Sequence, residues 1–509
     1  MSVLDYLKTR APSKQPGPHP YAPPYKDVPL TAKNLENIFS GCGDLQKREL
    51  DAGLSGVPVT AMWLDGIVSG GDVSEDVLRP LTEKVRLGGA KTAEECAETM
   101  LRGGVYANTA KMRASAADTA DDMTHGWCAV VFDGAGIAVT FEVRTGNTRG
   151  IAEPTLEKSV KGAKDSFVET LRINTSLVRR RICTPALKLK NTVIGRKSLT
   201  RCAVMYVDGV ADPEIVDELT RRLNAIDVDG LTAAGYIEEY ISDAPRSPLP
   251  QVVHTERPDR FATQLLNGRV GLIVDGLSFG FLVPASLSEF MRVSQDNSNN
   301  FLVSTALSVL RWLALLIGLV LPAFAVAAAM YHQEMIPTKL LLSIIKAKQD
   351  VPFSVAVEVT GMLIAFELLQ EAGLRLPNPV GGTVSIIGAL VVGQSAVDAR
   401  LVSPLAVIIV AMAGVCGYTM PSQDIGDALR IGRLLLVLSA ILAGLFGVAA
   451  GLCLMTLYLC SLESFGVNYM SPMSNGSGPG LLRALVRVPR AMNKFRDPDL
   501  RTPDRRRQR

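Results

Sequence analysis

The spacing of hydrophobic and polar positions changes near residue 300. Up to that point apolar runs are short, and charged residues occur in nearly every block of ten. From Phe301 to about Met470 the chain is rich in Leu, Val, Ala and Gly, and charge is sparse. After Ser474 it turns polar and basic. This pattern predicts an α+β soluble N-terminal half of two α/β subdomains, followed by an α-helical polytopic membrane domain. The expected divisions are a flexible Pro-rich extension over 1–30, a first subdomain over 31–155 and a second over 156–297. A transmembrane helical domain then covers 298–473, and a basic tail covers 474–509.

Within the soluble half, two segments read as β-hairpins. CAVVFDGAGIAVTFEV (Cys128 to Val143) sets two apolar runs around Asp133-Gly134. RVGLIVDGLSFGFLVP (Arg269 to Pro284) does the same around Asp275-Gly276. Asp-Gly favours the positive φ angles of a tight turn. The likeness of the two segments suggests subdomains of related design. Between them, Asp208-Gly209 follows a strand-like run and a helix opens. Asp212 is placed to cap it and Pro213 to occupy its first turn. Ile215, Val216, Leu219, Leu223 and Ile226 fall on one face of that helix.

In the apolar half, Trp312 to Tyr331 is a stretch of about twenty residues without a charge, the length that crosses a hydrocarbon core. Pro322 lies in its middle and would kink it. Gly381–Val397 and Ser403–Thr419 are further candidates, and Leu434–Leu462 reads as one long span. Within that span Ala443, Gly447 and Gly451 repeat every fourth residue, the spacing of close helix packing. Val351–Gly373 is mostly apolar, yet it carries Glu358, Glu367 and Glu371. A carboxylate at bilayer depth is costly unless it meets water or a partner. Glu367 and Glu371 share a face, and Glu358 lies about 180° round the helix. Two readings follow: a pore-facing or re-entrant acidic helix, or an amphipathic helix at the interface or packed on the soluble half. Gln394 is a further candidate intramembrane polar residue. The tail holds about ten Lys and Arg against three Asp, which points to a cytoplasmic tail. The absence of an apolar leader in MSVLDYLKTR points to a cytoplasmic N-terminal half.

The whole chain has 48% hydrophobic and 20% charged residues, and its formal net charge is only +3. That charge, without an aromatic-interleaved basic patch, argues against nucleic acid. The eight cysteines include no CxxC pair and read as buried free thiols in a reducing compartment. The four histidines are isolated, so no metal site is expected. No Walker loop, nucleophile elbow or cofactor fingerprint is present, and no catalytic residues or enzyme activity are expected.

Several phrases then carry a family resemblance. FVETLRINTSLVRRRI (Phe167 to Ile182, with Arg179, Arg180 and Arg181) is followed by HTERPDR (His254 to Arg260, with Glu256, Arg257, Pro258 and Asp259) and NGRVGLIVDG (Asn267 to Gly276). HQEMIPTKLLLSI, LPNPVGGTVSIIGALVVGQSAV and SFGVNYMSP continue the series through the apolar half. Together they resemble the A subunits of GerA-type spore germination receptors. The first hundred residues match poorly, and SQDNSNNF (Ser294 to Phe301) is more polar than is usual there. The resemblance implies a multi-pass protein of the endospore inner membrane, contacting membrane lipid. It implies a permease-like B subunit and a C-subunit lipoprotein as partners, and A-subunit homo-oligomers forming a ligand-gated channel for monovalent cations. The related SpoVAF-type proteins, which amplify germination, share these motifs.

Overall fold

The computed structural model describes residues 27–53, 56–83, 90–145, 161–230, 233–375, 393–474, 484–489 and 492–508, together with Tyr25, Pro154 and Glu157. Most of the Pro-rich extension and of the Gly381–Val397 candidate span lies outside these residues. The chain divides into two compact units, Met1–Gly146 with Cys183–Pro185, and Asn147–Ile182 with Ala186–Arg509.

The first unit is built on an antiparallel sheet. Its strands are β1 (Leu45–Ala52), β2 (Val57–Leu64), β3 (Ala110–Arg113), β4 (Trp127–Phe132) and β5 (Ile137–Glu142), in the order β1-β2-β4-β5-β3. The central strand β4, WCAVVF, is buried throughout and reads as a continuous apolar run. The edge strand β1, LQKRELDA, is charged and largely exposed, which blunts pairing with other chains. Helix α1 (Ala32–Ile38) is capped by Thr31, whose hydroxyl accepts from the Asn34 amide at 3.2 Å. Helix α2 (Ala116–Thr124) carries the buried Asp122, which accepts two bonds from Arg113 at 2.8 and 3.0 Å and one from the Thr140 hydroxyl at 2.7 Å.

The second unit opens on a sheet of the same design. Helix α3 (Leu171–Arg179) leads into β6 (Leu187–Ile194) and β7 (Thr200–Val207). Helices α4 (Pro213–Asn224) and α5 (Ala234–Ile241) precede β8 (Val253–Thr255). Helix α6 (Pro258–Asn267) precedes the hairpin β9 (Val270–Val274) and β10 (Gly280–Val283). The order β6-β7-β9-β10-β8 repeats the first sheet strand for strand. The two Asp-Gly phrases are the β4–β5 and β9–β10 turns. Their aspartates do the same work. Asp133 accepts from the Ala32 amide at 2.6 Å, and Asp275 from the Leu171 amide at 2.9 Å. Each fixes the first turn of the helix that opens its subdomain. In α4, Asp212 accepts from the Glu214 amide at 3.0 Å, and Ile215, Val216, Leu219 and Leu223 are buried. Ile226, placed on that face by the sequence pattern, lies beyond the helix end but packs on the same core.

The C-terminal region is helical: α7 (Phe301–Tyr331), α8 (Thr338–Lys348), α9 (Val355–Arg375), α10 (Pro404–Tyr418) and α11 (Gln423–Ser461). By length and composition α7 and α11 are each able to cross a membrane. The structure corrects the single span expected over Leu434–Leu462. At Ala443 (φ −139°) and Gly444 (φ +58°) α11 leaves helical geometry. A Cβ on Gly447 would lie 2.0 Å from the Ser439 carbonyl oxygen, and one on Gly451 would lie 2.8 Å from Leu436. Residues that far apart in sequence touch only if the chain turns back. Helix α11 is therefore an antiparallel hairpin with a first arm 423–442 and a second arm 445–461. The Tyr331 hydroxyl donates to the Ile441 carbonyl at 2.6 Å, so the end of α7 meets the hairpin tip. Both open ends reach the core of the second sheet: Ile425, Leu462 and Tyr469 are buried with Leu187, Phe261 and Leu282, and Trp312 packs against them.

The tail returns to the same sheet domain. Arg496 donates to the Leu266 carbonyl at 2.9 Å. The Thr502 methyl sits 2.3 Å from where a Cβ on Gly268 would lie, which reserves that position for glycine (φ +106°). Five cysteines are buried as expected, but Cys183, Cys453 and Cys460 are exposed.

Candidate functional site

The three glutamates of α9 have different surroundings. Glu358 is 2% exposed. It accepts from the Ser403 amide at 2.8 Å, at the N-cap of α10, and Lys348 lies 3.4 Å away. A carboxylate is favoured there because the first amides of a helix lack partners of their own. Glu367 lies two and a half turns on. Its carboxylate is paired with Arg433 and lies 3.4 Å from Arg430, both from the first arm of α11. Arg433 is 3% exposed. Asp427 on the same arm pairs with Arg430 at 3.2 Å and lies within electrostatic reach of Glu371. The face shared by Glu367 and Glu371 is thus turned to a row of charges on α11. Gln394 is exposed and donates to Asp398 at 3.1 Å.

The expected packing residues divide by position. Gly447 and Gly451 are where the second hairpin arm closes on the first, and Ala443 forms the turn itself. Their contacts lie within the hairpin of one chain.

The sequence motifs of the second sheet domain form a buried ionic network. Arg179, 1% exposed, donates to the Leu187 carbonyl at 2.7 Å. Arg180 ends α3 and is exposed, whereas Arg181 holds both oxygens of Asp165 at 2.6 Å. Arg257, also 1% exposed, pairs with both oxygens of Asp259 at 3.0 and 2.8 Å and donates to the Glu157 carbonyl at 3.1 Å. Pro258 starts α6, and the Glu256 carbonyl accepts from the Phe167 amide at 2.7 Å, which ties the two motif phrases together. At the centre is Glu289, 2% exposed, with Arg269 at 3.0 Å, Arg260 at 3.6 Å and Arg292 at 3.7 Å. Burial works to raise its carboxyl, and the guanidiniums of Arg269, Arg292 and Arg260 outweigh that, holding it below the usual range. Among the described residues no group of three or more His, Cys, Asp or Glu is placed to hold a metal ion.

Comparison with known proteins bears on what these networks serve. The family model described as "Bacillus/Clostridium GerA spore germination protein" matches residues 33–498. The chain belongs to the GerA spore germination protein family. Spore germination protein KA of Bacillus subtilis is 36% identical over 466 residues, 91% of this chain and 85% of that protein. Spore germination protein GerLA of Bacillus cereus is 30% identical over 93% of this chain and 95% of its own length. A Bacillus subtilis relative named as uncharacterized membrane protein YfkQ is 35% identical, over 91% and 89%. Among solved structures, the N-terminal domain of the A subunit of the Bacillus megaterium germinant receptor GerK3 is 27% identical, covering 50% of this chain and 92% of that one, with a TM-score of 0.39.

For this GerA-family chain, sequence reasoning missed the basic partners of the acidic helix. Arg430 and Arg433 lie just before Leu434, where the apolar run was taken to begin. A span defined by hydropathy starts after its last charge, so the arginines fell outside it. Reading them as one i, i+3 face with Asp427 and Asp424 would have signalled a partner for α9. The network around Glu289 was also missed. Its arginines are scattered over sequence, and only the sheet brings Arg260, Arg269 and Arg292 to one carboxylate. The polar phrase Ser294–Phe301 has a local role: Asn300 caps α7 and Asp296 pairs with Arg311 at 2.5 Å.

Proposed function

We propose that this protein is an A-type subunit of a spore germination receptor, oligomerising in the inner spore membrane as part of a nutrient-gated channel for monovalent cations. The observation that carries the role is membership of the GerA family over residues 33–498, with relatives named as spore germination proteins spanning more than four fifths of this chain. In this reading a permease-like B subunit and a C-type lipoprotein are its partners. The sheet domain, its tail and the N-terminal unit lie on the cytoplasmic side.

The channel part rests on the charged seam between α9 and α11. Trp312 to Tyr331 of α7 rises about 30 Å at 1.5 Å per residue, one hydrocarbon thickness. Gly432 of the first hairpin arm is against Leu319, roughly 10 Å along that span from Trp312. Ionisable groups at such depth are costly and mark ion paths or relays more often than anchors. Glu358 serves the α10 cap, whereas Glu367 and Glu371 share the face turned to the charges of α11, and these two are the carboxylates placed along that seam.

The test replaces Glu367 or Glu371 by Gln in the native locus and follows cation release from spores given nutrient. Altered release with normal protein level supports the reading. Normal release from both variants removes the acidic seam from the ion path. Normal nutrient response in spores lacking the protein, with slower germination only after other receptors fire, would instead assign it to the SpoVAF-type amplifiers.

A further inference from the structure

Three titratable side chains from three elements meet where the second sheet domain touches the hairpin. His254 of β8 places Nδ1 3.3 Å from Asp424 of α11 and 3.7 Å from Glu238 of α5. The His254 Nδ1 and Asp424 Oδ2 atoms are buried and make no hydrogen bond. The Phe279 ring closes one side of the imidazole, edge-on at 5.7 Å. The buried Tyr469 hydroxyl is likewise without a hydrogen bond, and Asp424 acts on it electrostatically. Further along α11, Asp427 with its partner Arg430, and Glu371 of α9, extend the charged surroundings of Asp424.

We propose that Glu238, His254 and Asp424 form a proton-binding site that latches the sheet domain to the first arm of the α11 hairpin. Two ionised carboxylates can only accept hydrogen bonds, and a neutral imidazole offers one acceptor nitrogen. With the imidazole neutral, its single N–H serves at most one of the two carboxylates, and the carboxylates repel. One further proton, on the imidazole or on a carboxylate, adds a donor and cancels one negative charge. The site therefore binds a proton more tightly when the sheet domain and the hairpin are together than when they part. Burial, with Asp424 adding to it, pushes the Glu238 carboxyl up to about 7.

The sign follows from that direction. A carboxyl raised by the closed arrangement favours that arrangement fully below its ordinary value near 4.5, and the advantage is lost as pH rises through about 7. Linkage of those two values weakens closure about tenfold between pH 6 and pH 8.5. The latch deepens the channel reading, because it joins the domain outside the bilayer to the arm that carries Arg430 and Arg433, and it rests on that reading for its purpose. Its physical test does not.

The experiment is amide exchange on the full chain in lipid nanodiscs without nutrient, corrected for the intrinsic pH dependence of exchange. Peptides covering Tyr236–Ile241 and Asp424–Arg430 are compared with β6 and β7, which report folding. The expected result is a roughly tenfold loss of protection at the junction from pH 6 to pH 8.5, with β6 and β7 unchanged. Glu238→Gln is expected to hold protection flat across that range, and Asp424→Asn to diminish the loss. Flat protection in the unmodified chain, or an undiminished pH response in both variants, overturns the proposal. A latch that titrates in a protein passing no current would sink the channel reading and leave the latch standing.

Discussion

Arg433 of the first hairpin arm donates to the Glu367 carboxylate of α9, and each is the other's principal partner in an apolar setting. Arg430 adds a second, more distant positive charge to the same carboxylate. Removing one member of a buried pair leaves a charge with no compensation, at a cost of about 3–5 kcal/mol. Arg433→Met should therefore lower the thermal midpoint of the detergent-solubilised protein by several degrees. Adding Glu367→Gln to it should recover most of the loss. A double variant as unstable as the single one would show that the pair does not act as a unit.

Gly447 has no room for a side chain. The Ser439 carbonyl lies where its Cβ would be, and the contact is with backbone, which does not yield as a flexible side chain does. Gly447→Ala should open the hairpin and reduce the amount of folded protein in the membrane. Gly426, in the first arm, has nothing within 4 Å of a built Cβ. Gly426→Ala should be neutral or stabilising by about 0.5–1 kcal/mol, since alanine favours helix. Membrane yield and melting temperature of the two variants check this contrast.

Asp133 and Asp275 hold equivalent turns against equivalent helix starts. Each Asp→Ala change removes one acceptor from a helix N-terminus and should cost about 1 kcal/mol. The losses should be nearly additive, because the two sites share no partner. Denaturant unfolding followed separately in the two units would measure them.

Glu289→Gln should destabilise the second sheet domain by about 3 kcal/mol, because three arginines lose their common counter-charge. Its depressed carboxyl also fixes a pH dependence. The stability it supplies is present above the ordinary value near 4.5 and is lost as pH falls toward the depressed one. Acid unfolding of the unmodified protein should contain this component, and the Gln variant should lack it. Because Glu238 has the opposite sign, acid should loosen the sheet domain's interior while tightening its junction with the hairpin.

Local signals made much of the architecture readable beforehand. The Asp-Gly turns, the Asp212-Pro213 helix start and the break in composition near residue 300 each depend on a few adjacent residues. The repeat of strand order was only hinted at by two similar hairpins, since the strands flanking them share no phrase. The site was legible on one side only. Glutamates in an apolar helix stand out, but their arginine partners lay just beyond the edge of a hydropathy window.

By itself, then, the sequence determined the α/β and helical halves, the turn positions and the family phrases, because propensity and periodicity act over short stretches. Tertiary structure decided that α11 turns back on itself, since Gly444 permits a left-handed residue but nothing local requires one. It also decided that Glu358 caps α10, that Glu367 answers Arg433, and that His254 stands between Glu238 and Asp424. Those pairings join residues distant in sequence, and only the packing of helix on helix and helix on sheet sets which charge meets which.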